Sequence, residues 1–259
     1  MLYKNIVIIP CYEPPHLVID YAKELLSQGV YKVVIVNDGS NDKYLNVFKT
    51  LSTIGGVLVL SYDKNRGKGY ALKHAFSYCA QNFDDNCVYA TADCDGQHGV
   101  DDVLNCLKQA SENQNSFILG VRNFKDKNVP IRSKFGNNST IFTFKLLYSI
   151  KISDTQTGLR AFSHKLLNLL LDIDGERFEY EMNQIICLHK KGIKFLEVPI
   201  KTIYEKKSDD VDKRSHFKTI SDSVKVYKVL FKKAKLKSFL FLLSILSIIT
   251  IIILLIVFL

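Results

Sequence analysis

Cys87-Val88-Tyr89-Ala90-Thr91-Ala92-Asp93-Cys94-Asp95-Gly96-Gln97-His98 joins an apolar run to an acidic turn. The first six residues read as a buried strand bounded by turn residues. In extended backbone, residues two apart point the same way, so Asp93 and Asp95 present both carboxylates to one spot. Gly96 then lets the chain turn sharply, and Gln97 and His98 add neutral ligands. Two hard oxygen anions at a strand's carboxyl end suit magnesium or manganese, ions that usually carry a substrate's phosphates. Taken alone, the same residues also read as a solvated acidic turn.

Two upstream segments repeat the pattern. Ile6-Val7-Ile8-Ile9-Pro10-Cys11-Tyr12-Glu13 and Val33-Val34-Ile35-Val36-Asn37-Asp38-Gly39-Ser40 are apolar strands that end in polar turns carrying a carboxylate. Open α/β sheets bind ligands outside the carboxyl ends of their strands, so the three turns point at one site. Strands near 5–10, 32–37, 57–61, 87–92 and 117–121 alternate with helical patterns near 15–28, 42–53, 68–82 and 99–113. That alternation predicts right-handed βαβ units and a mainly parallel sheet flanked by helices. After Val121 the rhythm fails. Pro130 to Ile150 begins basic and turns apolar, and it reads as a core helix or as a helix lying in a membrane interface. A helix over 179–191 and a strand over 194–200 follow.

Further motifs extend the series. They are Ile9-Pro10-Cys11-Tyr12-Glu13, Val36-Asn37-Asp38-Gly39-Ser40, Asn65-Arg66-Gly67-Lys68-Gly69, Asp93-Cys94-Asp95-Gly96-Gln97 and Asp154-Thr155-Gln156-Thr157-Gly158-Leu159-Arg160, then Phe178-Glu179-Tyr180-Glu181-Met182 and Ser215-His216-Phe217. On these motifs, in this order over roughly residues 4–230, the chain resembles the family-two glycosyltransferases of GT-A fold. The resemblance is to the dolichyl- or polyprenyl-phosphate sugar transferase branch.

The resemblance implies a nucleotide-diphosphate sugar donor, a polyprenyl-phosphate acceptor and a magnesium or manganese ion. It makes Pro10, Tyr12 and Glu13 the first nucleotide-binding turn, and Asp38 the acid that holds base or ribose. Asp93 becomes a nucleotide or ribose contact, and Asp95 and Gln97 the metal ligands. Arg122, Arg132 and Arg160 match basic positions of the branch, and guanidinium suits phosphate bidentately. His216 lies in a stretch that closes over the donor in similar proteins. Arg66-Gly67-Lys68-Gly69 opens a helix, where glycine lets backbone approach a phosphate and the helix N-terminus favours an anion, although a plain tight turn has the same residues.

The implied reaction inverts the anomeric carbon. A phosphate acceptor is already anionic near neutral pH, so it needs orientation and charge neutralisation more than a base. A hydroxyl acceptor, as in glycolipid or polysaccharide synthesis, needs a base, and Asp154 and Glu181 are the carboxylates to consider. An idle membrane scaffold is disfavoured by the presence of Asp95, Gln97 and Arg160 together. A dinucleotide-binding oxidoreductase needs a glycine-rich turn where Pro10-Cys11-Tyr12-Glu13-Pro14-Pro15 stands, and a nucleotidyltransferase needs a basic one.

Composition adds a membrane. The net charge of +9 suits phosphate-rich substrates and anionic lipid, and no nucleic-acid partner is expected. Lys225, Lys228, Lys232, Lys233, Lys235 and Lys237 have no acid among them, and Phe239 to Leu259 follows without one charge or proline. Twenty-one residues at about 1.5 Å each span roughly the 30 Å core of a bilayer. The expected organisation is a GT-A domain over 1–212, a basic juxtamembrane helix over 213–238 and one transmembrane helix over 239–259. With the lysines inside and no signal peptide at Met1-Leu2-Tyr3-Lys4, the catalytic body is expected on the cytoplasmic face. A homo-oligomer formed through the span is compatible with this. Six scattered cysteines without a C-x-x-C pair fit a reduced compartment and argue against zinc.

Overall fold

The structure is a computed structural model that describes residues 3–124, 129, 131–201 and 234, with the backbone alone at 131–133. Its strands are β1 (Lys4–Cys11), β2 (Lys32–Asp38), β3 (Val57–Tyr62), β4 (Cys87–Thr91), β5 (Ser116–Arg122), β6 (Arg160–Ser163) and β7 (Lys194–Ile200). Its helices are α1 (Leu17–Ser27), α2 (Leu45–Ser52), α3 (Lys68–Asn82), α4 (Val100–Glu112), α5 (Ile131–Tyr148), α6 (Leu167–Leu171) and α7 (Glu179–Lys190). All seven strands form one sheet in the order β3-β2-β1-β4-β6-β5-β7, and β6 alone runs antiparallel to its neighbours.

Alternate residues of each central strand enter opposite core layers, so these strands are apolar throughout. Ile6, Ile8, Val34 and Val36 face a layer that includes residues of α3, α5, α6 and α7. Val7, Ile9, Val33 and Ile35 face α1, α2 and α4. Truncating one such side chain, for example Ile8→Ala, would cost about 2–5 kcal/mol.

Strand order reverses between β1, which pairs with β2, and β4 on its other side. A crevice opens at such a switch point, outside the carboxyl ends of the strands. The turns 11–13, 39–41 and 93–98 all lie there, because β1, β2 and β4 are parallel. The antiparallel β6 enters between β4 and β5 from the same end. Its first residue, Arg160, pairs with Thr91 of β4 and Leu119 of β5. The 154–159 motif is thereby delivered to the crevice.

The parallel α/β architecture and the expected strands and helices up to residue 200 are present. Two elements were not anticipated: β6, four residues long, and the short α6. All six cysteines are free thiols. Among the described residues, no helix is long and apolar enough to cross a membrane. The expected juxtamembrane helix and span, over 213–238 and 239–259, lie outside the described residues apart from Ala234, and so does His216.

Candidate active site

Asp93 and Asp95 follow β4 directly, and their surroundings differ. Lys68 Nζ lies 2.7 Å from Asp93 Oδ1, and His98 Nε2 lies 3.2 Å from Asp93 Oδ2. Burial opposes ionisation of Asp93, but Lys68 and then His98 hold its carboxyl well below the usual carboxylate range. Asp95 Oδ1 accepts one hydrogen bond, from the Gln97 backbone N–H at 3.1 Å. Burial, followed by the charge of Asp93, raises the Asp95 carboxyl above its ordinary value. Asp95 is thus an anion in a negative environment with little compensation, which a cation would relieve. Gln97, exposed two residues away, adds an amide oxygen of the same hard type.

Among the described residues, no three His, Cys, Asp or Glu side chains gather as a metal cluster. A magnesium-like site held by one or two protein oxygens and completed by substrate phosphates needs no such cluster. The donor set of Asp95 and Gln97 fits that kind of site.

The other candidates are distributed as follows. Pro10 lies in β1 beside Val36, and Tyr12 is half-buried at the strand's end. The Glu13 N–H donates to Ser40 Oγ at 2.9 Å, and Asn41 Nδ2 donates to Glu13 Oε1 at 3.4 Å, so the first two turns are stitched together. Burial, then Glu13 and Asp38, push the Tyr12 phenol upward, in keeping with its place beside both acids.

Asp38 and the glycine turn are hydrogen-bonded to each other. The Asp38 carboxylate accepts hydrogen bonds from the Tyr62 hydroxyl at 2.9 Å, Asn65 Nδ2 at 3.0 Å, and the N–H groups of Arg66 at 2.7 Å and Gly67 at 2.9 Å. The N–H groups of Arg66 and Gly67, at the entry to α3, hold an anion in the form of this buried side chain. Gly69 is required by packing, since a Cβ there would lie about 2.5 Å from the Cβ of Tyr180 on α7. Arg66 stacks 3.6 Å above the Tyr70 ring and pairs with Glu176 at 3.3 Å. Lys68 reaches Glu181 Oε1 at 2.9 Å as well as Asp93, so its ammonium bridges two acids of the site.

The basic positions form a second group. Arg122 forks onto Asp154, with Nε 2.7 Å from Oδ2 and Nη2 3.0 Å from Oδ1. Asp154 is fully buried and also accepts the Gln156 N–H at 3.0 Å. Arg160 is buried, and it donates to the carbonyls of Thr157 (3.1 Å) and Glu181 (2.7 Å) and to Gln184 Oε1 (2.6 Å). It braces the floor of the site, and its Nη2 is buried without a hydrogen-bond partner among the described residues. The backbone of Arg132 lies in the first turn of α5, and its side chain is outside the described part.

A cavity of about 40 Å³ joins the two groups, lined by Asp93, Gln97, His98, Arg122, Gln156 and Gly158 among others. Gly158 belongs to it for a steric reason, because a Cβ there would overlap the Asp93 carboxylate. Sequence reasoning missed Asn137 and Gln184, two buried amides that hold the 153–157 segment and Arg160. No sequence signal marked the first, which stands in the polar run Gly136-Asn137-Asn138-Ser139-Thr140.

Residues 6–170 match the profile of glycosyl transferase family 2. The chain belongs to this family. It is 33% identical over 202 residues to an uncharacterised protein of Methanocaldococcus jannaschii, covering 76% of this chain and 81% of that one. It is 29% identical over 219 residues to a UDP-N-acetylglucosamine–dolichyl-phosphate N-acetylglucosaminyltransferase of Methanococcus voltae, covering 76% of this chain and 85% of that one. The fold is shared with glucosyl-3-phosphoglycerate synthase of Mycobacterium tuberculosis in complex with Mn2+, UDP-glucose and phosphoglyceric acid. There the TM-score is 0.66 at 14% identity, over 90% of this chain and 80% of that one. Mannosyl-3-phosphoglycerate synthase of Rubrobacter xylanophilus gives 0.60 at 14% identity, over 95% and 75%. This family-two chain is therefore a glycosyltransferase of GT-A-like fold, with a mixed, mainly parallel sheet.

Proposed function

We propose that this glycosyltransferase moves a sugar from a nucleotide-diphosphate sugar to a polyprenyl phosphate, with inversion, at a membrane surface. The observation that carries the reading is the state of the two carboxylates considered as bases. Asp154 is fully buried in a bidentate fork with Arg122, and Glu181 is buried beside Lys68. Neither is poised to take a proton from a hydroxyl. An acceptor that arrives as an anion needs no such group, and a lipid phosphate is one.

The donor's diphosphate would lie at the end of β4, beside Asp95 and Gln97. A divalent cation held there supplies Lewis-acid neutralisation of the leaving diphosphate. The turns at Tyr12 and Ser40, stitched by the Glu13 N–H, offer the base a rigid floor. Asp93 is kept ionised by Lys68 and His98, which suits it to accept from sugar hydroxyls. Arg122, oriented by Asp154, faces the same crevice and can take the acceptor's phosphate.

The lipid side of the reading is supported by α5. One face of this helix buries Asn137, Thr140, Phe144 and Leu147, while the other exposes Phe135 (76%), Phe142 (59%) and Leu146 (42%). Large apolar side chains repeated along one exposed helix face suit the boundary of a bilayer. The uncharged run Phe239 to Leu259 supplies a span, with its lysine collar on the cytoplasmic side.

The test is transfer by the purified full-length protein in detergent with Mn2+ or Mg2+, polyprenyl phosphate and a panel of nucleotide sugars. UDP-N-acetylglucosamine comes first, as the donor named for the Methanococcus voltae relative. Mass spectrometry should find a sugar-phosphate lipid. Equal transfer to dephosphorylated polyprenol would overturn the acceptor assignment.

A further inference from the structure

Asn137 stands outside every motif of the sequence, yet it is wholly buried on α5 with its amide turned to one loop. Its Nδ2 donates to the Ser153 carbonyl at 3.0 Å. Its Oδ1 accepts from the Thr155 N–H at 3.2 Å and from the Thr155 hydroxyl at 3.3 Å. Gln156 Nε2 reaches Thr140 Oγ1, one turn further along α5, at 3.5 Å. The segment held in this way has no regular secondary structure between α5 and β6. Between its two anchored residues lies Asp154, which forks Arg122, and just beyond are Gln156 and Gly158 of the crevice wall.

A core amide needs partners, but it need not find them all on one catalytic loop. Each of the Asn137 bonds fixes backbone or side chain within one residue of Asp154. A small displacement of Asp154 would swing the guanidinium it grips, and misplacement on the ångström scale is costly in transfer reactions.

We propose that Asn137 is a positioning residue of glycosyl transfer, holding the 153–157 loop so that Asp154 sets Arg122 for the acceptor anion. The inference rests on the acceptor reading given above. It assigns the amide no contact with substrate, only control over where Arg122 stands.

The experiment compares the full-length native protein with Asn137→Ala and Asn137→Asp in detergent, using Mn2+, UDP, UDP-N-acetylglucosamine and polyprenyl phosphate as probes. In Asn137→Ala the acceptor KM should rise about tenfold while UDP affinity stays within about twofold. Backbone hydrogen exchange over residues 153–157 should quicken about tenfold, with β1 to β3 unchanged. Asn137→Asp keeps an oxygen for Thr155 but loses the donor to Ser153, so it should fall between the two. An unchanged acceptor KM, equal losses on the donor and acceptor sides, or failure of both variants to fold would reduce Asn137 to a packing residue and overturn the proposal. If the native protein does not use polyprenyl phosphate, the acceptor reading fails instead, and the exchange rates over 153–157 decide for Asn137 on their own.

Discussion

The ammonium of Lys68 lies 2.7 Å from the Asp93 carboxylate, and the same atom lies 2.9 Å from Glu181. One cation at the start of α3 thereby ties the end of β4 to the first turn of α7. Glycines make the approach possible: Gly69 lets α3 close on Tyr180, and Gly158 leaves room for Asp93. The site is therefore assembled by charge pairing across three elements, with substrate groups to be added to a framework already balanced.

Lys68→Met should uncouple that framework. It leaves a buried Glu181 and a partly exposed Asp93 without their cation, at a cost of about 3 kcal/mol. Asp93 is held below its unfolded value, so its contribution is full above about pH 4 and fades as pH falls toward the folded value. Burial works against the Lys68 ammonium, but Asp93 and Glu181 hold its pKa above the ordinary value, so its share is full below about pH 10.4 and fades as pH rises toward the folded value. Urea unfolding across pH should give a native-minus-variant gap that is flat from about pH 5 to pH 10 and shrinks in acid. A gap that grows in acid would contradict the pairing.

Asp95→Asn should remove the charge that a divalent cation needs and leave the strand's geometry unchanged. Transfer should fall at least about a hundredfold, the scale of losing a principal electrostatic stabiliser. Stability should change by less than about 2 kcal/mol, because the residue sits in a turn with one backbone partner. Chelation of the native protein should abolish transfer, and added Mn2+ or Mg2+ should restore it. Full activity in chelator would remove the metal from the reaction.

The strands could be read from the sequence because short β-branched runs such as Ile6 to Ile9 are apolar at every position and end in turn residues, as a sheet covered on both faces requires. β6 could not be read, since Arg160 to Ser163 is too short for a periodic signal and begins with a charge. That Asp93, Asp95 and Gln97 follow the carboxyl end of one strand was legible from the sequence. The partners of the acids were not, because pairing is settled by helices that meet only in three dimensions. Asp38, Lys68, Asp154 and Arg160 all carry chemistry-bearing groups, but in the fold much of that capacity is directed at other side chains of the site or at backbone.

Gly158→Ala offers a steric test of the same site. The added methyl would collide with a carboxylate that Lys68 and His98 hold in place, so Asp93 must shift. Transfer should drop about tenfold or more. Melting temperature should change much less than in Lys68→Met. Unaltered kinetics would mean that Asp93 has no fixed role in donor binding.

The proposed membrane attachment predicts separable contributions from the exposed face of α5 and from the uncharged tail. Ending the chain after about Ser223 removes the basic collar and the apolar run, and should release most of the protein from membranes at high salt. In that shortened protein, Phe135→Glu with Phe142→Glu should abolish residual binding to anionic vesicles. Each change should shift stability by less than about 0.5 kcal/mol, because both rings already face outward. Vesicle flotation reads the outcome, and equal flotation with and without the two glutamates would leave α5 no lipid role.

The Arg122–Asp154 fork separates a phosphate acceptor from a hydroxyl acceptor. Arg122→Ala would leave a fully buried carboxylate unpaired and confound binding with unfolding. Arg122→Lys keeps the charge and loses the bidentate geometry, so it is the cleaner probe. If the guanidinium holds the acceptor phosphate, Arg122→Lys should raise the acceptor KM about tenfold and leave the donor KM within about twofold. Asp154→Asn should act through the same guanidinium, and the double variant should then be hardly worse than Arg122→Lys alone. If Asp154 were instead a general base, Asp154→Asn would lower kcat by about a hundredfold or more even in the Arg122→Lys background. Initial rates against acceptor concentration at fixed donor, for the four proteins of the cycle, distinguish the two. Additive losses in kcat would return the assignment to a base and a hydroxyl acceptor.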